Sequence, residues 1–534
     1  MIRMISASET VVMLSDEDEV AFLDIREIVS FGTGHPLLAT HLPLSRMELA
    51  ISKRVPRRTT RIVLTDGGDA TAALAAERLE RLGYSNLAVL EGGAPAWVAS
   101  GFKLFSEIEV PTKGFGAFAR RFGQPTFITP SELNRALRSD EDWVVLDSRP
   151  PIEYRKSNIP GSIDAPGADV LRCFDDLVPA PTTRVVVNCM SATRGILGGL
   201  SLKAAGVPNE VYVLHHGTLG WLLDGFKLET NASRFPEIPS RAALETATSR
   251  AARIAADAGL QQIDSRALAR WRADEHRTTY VFDVRSEAEY EAGHLMGARN
   301  APYGTIVMSP DQFFATLKAR IVLMDDDTVR ATVTALWLAQ MGWGEVAILV
   351  NGLREGELET GAESEALTRL DCPSVPMVSV RELAALQQQR LVRVIDVGSS
   401  EDYVEGHIPE AIWCSRVALD GFLRHEAHDG PTVLTSADGA LAQWAASDLD
   451  ASLAQSVSCV AGGNAAWREA GFTLTSGVER FASPRDDHWL ASSERPGDTR
   501  QNVLDYLAWE EALLDEIEAG GESPYRNLIW PSRR

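Results

Sequence analysis

The expected fold of this chain is decided by one stretch, Val185-Val186-Val187-Asn188-Cys189-Met190-Ser191-Ala192-Thr193-Arg194-Gly195. Its three consecutive valines predict a buried strand, and that strand ends at Cys189. Small and polar residues follow, and residues 196–202 continue as an apolar helix. A cysteine between a strand and a helix N-terminus faces backbone N–H groups and the positive end of the helix dipole. Such a place holds anions and lowers the pKa of a thiol. The stretch therefore predicts an activated cysteine.

The bulk composition is that of an ordinary globular protein with several domains. The chain has 534 residues, of which 45% are hydrophobic and 24% charged, and its net charge is -22. One hydrophobic core does not support a chain of this length. The acidic balance argues against nucleic acid and against an anionic membrane as the main partner.

Three features predict a cytoplasmic location. The five cysteines are an odd, sparse set, which is typical of a reducing compartment and not of a disulfide framework. Acidic residues 16–19 follow an N-terminus without a long apolar segment, so no signal peptide is expected. No run approaches the roughly 18 apolar residues that span a bilayer.

Four segments of the chain repeat the same order of motifs. Each has an apolar strand that ends in aspartate, at Asp24, Asp147, Asp283 and Asp396. Forty to 42 residues later a second apolar strand meets a loop, at Asp66, Cys189, Asp325 and Ser436. The number of residues from one copy to the next is the same for the two markers to within two residues. Two independent markers with the same spacing indicate four copies of one unit.

Within each unit, short β-branched strands alternate with helical segments. This pattern predicts an α/β fold in which each unit is a parallel sheet with helices on both faces. We expect the four units, numbered one to four below, at 1–104, 125–230, 259–362 and 376–475, followed by a C-terminal helical tail at 476–534. Residues 104–125, which include Pro111, Gly114 and Gly116, are expected to form an irregular crossover, and the Ala-rich stretch from Arg241 an extra helix.

The tail carries one strong helical pattern. Apolar residues recur with helical period from Asn502 to Ala519, and Gly520-Gly521 ends the pattern. We expect this helix to dock on its own chain. A homodimer or a partner contact through the same helix is the alternative.

Taken together, these motifs resemble the rhodanese (sulfurtransferase) superfamily, as four tandem rhodanese-like domains over roughly residues 5–475. The resemblance rests on Asp147-Ser148-Arg149 with Glu153-Tyr154, the turn at 158–161, the loop from Cys189 to Arg194, and Gly217 with Trp221. It implies that Cys189 is a catalytic nucleophile. A sulfane sulfur from a donor such as thiosulfate or 3-mercaptopyruvate would form a Cys189 persulfide and pass to a thiol or cyanide-like acceptor.

The resemblance also implies roles for the neighbours of Cys189. The loop residues would bind the substrate, with Arg194 attracting an anionic donor: Met190, Ser191, Ala192, Thr193, Arg194 and Gly195. Asp147, Arg149 and Glu153 would support the loop as an ion network. His215, His216 and Cys173 are weaker candidates for contact with the substrate or the persulfide. No cofactor is expected, and no cysteine and histidine cluster has the spacing of a metal site.

The other three units lack the nucleophile. Asp66 and Asp325 already carry negative charge, and Ser436 is a poor sulfur nucleophile, so these units are expected to be non-catalytic. Arg330 lies five residues after Asp325, which suggests an Asp325–Arg330 pair that closes the loop.

Two other functions remain open. A phosphatase is the less favoured enzyme, because the related phosphatase loops have five residues between cysteine and arginine and this loop has four. The other is a non-enzymatic tandem scaffold or sulfur-carrier protein that binds partners.

Overall fold

The structure is a computed structural model that describes residues 2–363, 370–426, 428–478, 480–521 and 523–530. Met1 and residues 531–534, the outer ends of the first and last predicted ranges, lie outside the described residues. The first unit contains strands Arg3–Ile5 (β1), Val20–Asp24 (β2), Thr40–His41 (β3), Arg61–Thr65 (β4) and Leu87–Leu90 (β5). Its helices are Ala7–Ser15 (α1), Ile28–Thr33 (α2), Met47–Arg54 (α3), Thr71–Arg81 (α4) and Gly93–Ala99 (α5).

The second unit is preceded by a helix, Val110–Gly123 (α6). Its strands are Thr126–Ile128 (β6), Trp143–Asp147 (β7), Ile163–Asp164 (β8), Arg184–Asn188 (β9) and Val211–Leu214 (β10). Its helices are Pro130–Ala136 (α7), Pro151–Lys156 (α8), Asp169–Arg172 (α9), Phe174–Leu177 (α10), Thr193–Ala204 (α11) and Gly217–Leu223 (α12).

The third unit begins after the extra helix that the Ala-rich stretch predicted, Arg241–Asp257 (α13). Its strands are Gln261–Ile263 (β11), Thr279–Asp283 (β12), His294–Leu295 (β13), Arg299–Asn300 (β14), Arg320–Met324 (β15), Glu345–Leu349 (β16) and Leu358–Glu359 (β17). Its helices are Ser265–Arg272 (α14), Glu287–Ala292 (α15), Tyr303–Met308 (α16), Val329–Met341 (α17) and Gly352–Glu355 (α18).

The fourth unit is followed by a single long helix. Its strands are Met377–Val378 (β18), Arg393–Asp396 (β19), Ile412–Trp413 (β20), Thr432–Thr435 (β21) and Val457–Val460 (β22). Its helices are Val380–Gln388 (α19), Ser400–Glu405 (α20), Leu419–His425 (α21), Ala440–Asp448 (α22), Ala451–Ala454 (α23) and Gly463–Glu469 (α24), and the tail helix is Thr499–Ala519 (α25).

Each unit folds around a five-stranded sheet with the same strand order. The orders are β1-β5-β4-β2-β3, β6-β10-β9-β7-β8, β11-β16-β15-β12-β14 and β18-β22-β21-β19-β20. The pairings within these sheets are parallel. Parallel pairs need crossover helices, which the helical segments between the strands supply. The predicted α/β class of tandem parallel sheets is confirmed, whereas the predicted domain boundaries stay predictions, because sheet membership locates cores and not edges.

One buried apolar cluster joins the first three units. It runs from Phe22 in β2 through Phe115 in α6 to Val187 in β9 and Trp337 in α17. The fourth unit has apolar clusters of its own. Among the described residues, no helix is both long and apolar enough to cross a membrane.

The expectation of an irregular crossover before the second unit is wrong, because α6 is a regular helix of 14 residues. Pro111 lies in its first turn, where a proline is tolerated. Gly114 and Gly116 lie where neighbours come closest: a Cβ on Gly114 would clash with Ile517, and one on Gly116 with Thr193. These glycines therefore allow close packing and do not break the helix.

The tail helix α25 confirms the predicted pattern. It begins after Asp498, whose carboxylate accepts hydrogen bonds from the N–H groups of Arg500 and Gln501. It packs along α6, and its apolar stripe of Val503, Leu507, Leu513, Leu514 and Ile517 is buried. The helix therefore docks on its own chain, as expected, and a contact with a partner or a second copy stays a prediction.

Candidate active site

Cys189 directly follows β9, at the carboxyl end of a central strand. Its side chain is 3% exposed, and its sulfur accepts a hydrogen bond from the backbone N–H of Gly195 in the first turn of α11. A Cβ on Gly195 would lie 3.4 Å from the sulfur, so this turn closes tightly over it. The predicted strand, cysteine loop and helix are all present.

The start of α12 is hydrogen-bonded to the backbone of the Cys189 loop. The N–H of Thr218 donates to the carbonyl of Cys189 at 2.9 Å, and the N–H of Leu219 to that of Met190 at 3.0 Å. Gly217 has φ +54°, and a Cβ there would clash with the carbonyl oxygen of Cys189. Both the backbone conformation and the close approach therefore require glycine.

The pKa of the Cys189 thiol differs from the expectation. Burial raises this pKa above its ordinary value of 9.0, and the charge of Arg194 and the N–H of Gly195 lower it by less. The predicted lowering of this pKa is wrong for the closed site. Burial costs the thiolate more hydration free energy than the charge and the N–H group of the loop restore.

Two ion pairs lie beside the loop. Asp147 and Arg149 form a fully buried pair, with Nε–Oδ1 at 2.9 Å and Nη2–Oδ2 at 2.8 Å. Asn188, the residue before Cys189, donates to the same carboxylate at 2.9 Å. Glu153 lies apart from this pair and binds Arg194 through two hydrogen bonds of 2.6 and 2.9 Å. Burial alone would raise the pKa of Glu153, but Arg194 holds it below 4.5.

A cavity of about 350 Å³ opens beside Cys189. Four of the six predicted substrate-binding residues line it, Met190, Ser191, Thr193 and Arg194, whereas Ala192 and Gly195 do not. Much of the remaining wall comes from the segment before and at the start of α6, from the third unit and from the tail: Glu107, Ile108, Glu109, Lys113, Gly304, Thr305, Met308, Ser309, Trp489, Ala491, Ser492, Ser493, Arg495 and Tyr506.

These outer wall residues were missed because nothing in the spacing links them to Cys189. Lys113 of α6 donates to the hydroxyl of Tyr506 in α25 at 2.8 Å. The buried carboxylate of Glu510 accepts from the hydroxyls of Ser191 and Thr193 at 3.4 and 3.3 Å. The tail is therefore part of the site, although it lies outside the repeat.

In the other three loops, the side chain at the position of Cys189 accepts hydrogen bonds from N–H groups of its own loop. Asp66 accepts from the N–H groups of Gly68 and Ala72 at 2.8 and 2.9 Å. Asp325 accepts from those of Thr328 and Arg330 at 2.6 and 2.8 Å. Burial, and next the charge of Asp327, raises the pKa of Asp325 to about 8, so the expectation that this side chain carries a negative charge is wrong at neutral pH. Ser436 accepts one such bond, from Ala442 at 3.3 Å. Each side chain thus accepts from backbone N–H groups of its own loop, as the sulfur of Cys189 accepts from Gly195.

The suggested Asp325–Arg330 side-chain pair is wrong. The guanidinium of Arg330 instead binds Glu289 at 2.8 and 2.9 Å, just as Arg194 binds Glu153. Only the backbone N–H of Arg330 reaches Asp325.

The weaker candidates lie away from the cavity beside Cys189. His215 and His216 do not line it. Cys173 faces a different cavity, and burial raises the pKa of its thiol to about 12.

The fold does bring three potential metal ligands together, His215, His216 and Glu511, which sequence spacing did not reveal. Arg120 donates to Oε1 of Glu511 at 2.8 Å, so this carboxylate already has a cationic partner.

Parallel sheets in tandem, one of them presenting a cysteine loop at a strand end, define the class of protein. The model of the Rhodanese-like domain family matches residues 6–100, 129–224, 265–358 and 379–470. The chain belongs to the rhodanese family, and the predicted recognition of four copies is confirmed.

Two relatives from Pseudomonas aeruginosa are similar to this chain. The crystal structure of a thiosulfate sulfurtransferase is 37% identical, covers 99% of this chain and 100% of its own, and superposes with a TM-score of 0.94. A curated thiosulfate sulfurtransferase is 27% identical over 177 residues, which are 28% of this chain and 62% of the relative. The matched region thus spans less than two thirds of that curated relative.

Proposed function

We propose that this protein is a sulfurtransferase in which Cys189 carries a sulfane sulfur as a persulfide. The observation that supports this most directly is that Cys189 is the one nucleophilic thiol among four matched loops, and that it borders a cavity. The donor is an anion such as thiosulfate or 3-mercaptopyruvate, and the acceptor is a thiol or cyanide.

The transfer takes two displacements. The Cys189 thiolate attacks the outer sulfur of thiosulfate, a new S–S bond forms, and sulfite leaves with the electron pair of the broken bond. The acceptor then attacks the outer sulfur of the persulfide, and Cys189 leaves as a thiolate. The N–H of Gly195, the N-terminus of α11 and the Arg194 guanidinium stabilise the negative charge at each stage.

The remaining parts of the proposal concern the surroundings of this site. Met190, Ser191, Ala192, Thr193, Arg194 and Gly195 bind the donor, and the Asp147–Arg149 pair and Glu153 support the loop. The five cysteines are free thiols, which is consistent with the cytoplasmic location that we propose.

Intact-mass analysis tests the proposal. After incubation with thiosulfate, the wild-type protein should gain one sulfur atom and lose it to cyanide, and Cys189→Ala should gain none. Cys372→Ala, a half-buried cysteine outside the site, is the matched control and should behave as wild type. Absence of sulfur on Cys189, or hydrolysis of an aryl phosphate in its place, contradicts the proposal.

A further inference from the structure

The charges around the cavity beside Cys189 are balanced. Three cations and three carboxylates line it: Lys113, Arg194 and Arg495, with Glu107, Glu109 and Glu153. The anionic donor has Arg194 beside Cys189. An acceptor that itself carries both signs would find an opposite charge for each of them in this lining.

Four of these six charges are already matched in pairs. Arg194 binds Glu153 with two hydrogen bonds, and Arg495 binds Glu107 with two of 2.6 Å each. A guanidinium has five N–H donors, so Arg194 keeps donors for the anionic substrate. Glu109 and Lys113 are the two charges of the lining that have no bidentate partner.

Glu109 and Lys113 form a loose ion pair that leaves hydrogen-bonding capacity on both. The ammonium of Lys113 and the nearer carboxylate oxygen of Glu109 are 3.9 Å apart, which is longer than a hydrogen bond. Ser309 donates to the other oxygen of Glu109, and Lys113 donates one of its three hydrogens to Tyr506. One carboxylate oxygen and two ammonium hydrogens thus remain for a ligand.

We propose that Glu109 and Lys113 form a subsite for a zwitterion, and that the sulfur acceptor is a small α-amino-acid thiol such as L-cysteine. Glu109 binds the ammonium of this acceptor, and Lys113 binds its carboxylate. The cavity of about 350 Å³ is at the small end of ligand sites, which suits a molecule of this size.

The step is balanced without a further reactant, and it rests on the sulfurtransferase activity proposed above. The acceptor thiolate attacks the outer sulfur of the Cys189 persulfide, and a new S–S bond forms. The bond between the two Cys189-borne sulfurs breaks, and its electron pair returns to Cys189. The product is the persulfide of the acceptor.

Four thiols test the subsite because they differ in charge: L-cysteine carries both charges, cysteamine the ammonium, 3-mercaptopropionate the carboxylate, and 2-mercaptoethanol neither. With rates expressed per thiolate, kcat/KM should be highest for L-cysteine. Glu109→Gln should lower kcat/KM about tenfold for L-cysteine and cysteamine only. Lys113→Met should do so for L-cysteine and 3-mercaptopropionate only.

The same series contains its controls. Turnover of 2-mercaptoethanol, which carries neither charge, is the reference within each variant, so that a general effect on the fold or on the persulfide chemistry is divided out. Glu91→Gln and Lys227→Met, two exposed residues outside the cavity, should leave all four thiols at wild-type values. Equal losses for the four thiols in Glu109→Gln, or equal kcat/KM for all of them in wild type, would overturn the subsite.

A binding measurement separates this inference from the proposed activity. S-methyl-L-cysteine has no thiol, and calorimetry should show it binding wild type at least tenfold more tightly than Glu109→Gln. Equal affinities overturn the subsite. Failure of Cys189 to take up sulfur overturns the proposed activity instead, and the role of the zwitterion as acceptor falls with it.

Discussion

Burial and charge act in opposite directions on the sulfur of Cys189. The closed loop removes the thiol from water, which raises its pKa, while Arg194 and the N–H of Gly195 favour the thiolate. Glu153 holds in place the guanidinium of Arg194, which opposes the effect of burial on this pKa. The reactivity of the thiol is therefore set by how fully the loop is closed as well as by which residues it contains.

The sulfur uptake of Cys189 should depend steeply on pH. Because the pKa of the thiol lies above 9.0, the thiolate is the minor form at neutral pH, and its fraction grows about tenfold per pH unit until that pKa is reached. We expect the rates of alkylation and of sulfur loading to rise through pH 9. Arg194→Met should move this rise to still higher pH. A plateau below pH 8 would contradict the raised pKa.

Gly217 and Gly225 form a matched pair for testing the support of the loop. Both have positive φ, but a Cβ would clash with Cys189 only at Gly217 and meets nothing within 4 Å at Gly225. Gly225→Ala should cost about 1 kcal/mol for its backbone conformation. Gly217→Ala should cost at least about 2 kcal/mol and also change the alkylation rate of Cys189. Similar effects of the two substitutions on stability and alkylation would remove the steric role of Gly217.

At the scale of elements, α25 acts as the outer wall of the site. Leu513 is 0% exposed and Leu504 is 40% exposed on the same helix. Leu513→Ala should destabilise the docked helix by about 2–5 kcal/mol, and Leu504→Ala should change little. Hydrogen exchange over 499–519 should show the difference, and Cys189 should react faster with alkylating agents in Leu513→Ala. Unchanged exchange in that variant would contradict docking through this stripe.

The repeated elements could be predicted from sequence because their signals are local. An apolar strand that meets a loop recurs within each unit, so the four copies and the place of the loop follow from the repeated spacing. The crossover helix α6 could not be predicted in this way. From sequence alone, a glycine that ends a helix cannot be told from one that permits close packing. The structure makes the distinction, because Ile517 and Thr193 pack against Gly114 and Gly116.

The outer wall of the site was beyond prediction for a different reason. Lys113 and Tyr506 lie far apart in sequence, yet they meet through one hydrogen bond beside the cavity. Neither residue carries a motif, and the contact exists only because α25 packs on α6. The pKa of Cys189 was predicted in the wrong direction for a related reason, since the depth of burial depends on these distant elements.

At the scale of the whole molecule, the first and fourth units are joined by a buried cluster of charges. Arg416 binds Glu48 at 2.7 and 3.1 Å and Asp448 at 2.8 Å. Arg416 and Glu48 are almost fully buried. A single arginine of the fourth unit therefore pairs with a carboxylate of the first unit, inside the buried contact between the two units.

Removal of this arginine should loosen the contact between the two units. Arg416→Ala leaves Glu48 buried with only the more distant Arg78, at 3.6 Å, and should cost about 3 kcal/mol. Its effect should appear as a lower urea midpoint and faster hydrogen exchange in α3. Arg424→Ala, which removes an exposed pair within the fourth unit, should leave both unchanged. Equal behaviour of the two variants would mean that the buried cluster does not hold the units together.

The carboxylates in the loops of the first and third units have a consequence for competition. Asp66 and Asp325 are tethered to the N–H groups that they occupy, so their effective concentration at those groups far exceeds that of any dissolved anion. A dissolved anion cannot displace them by mass action. In these two loops the chain thus behaves as its own saturating inhibitor of anion binding.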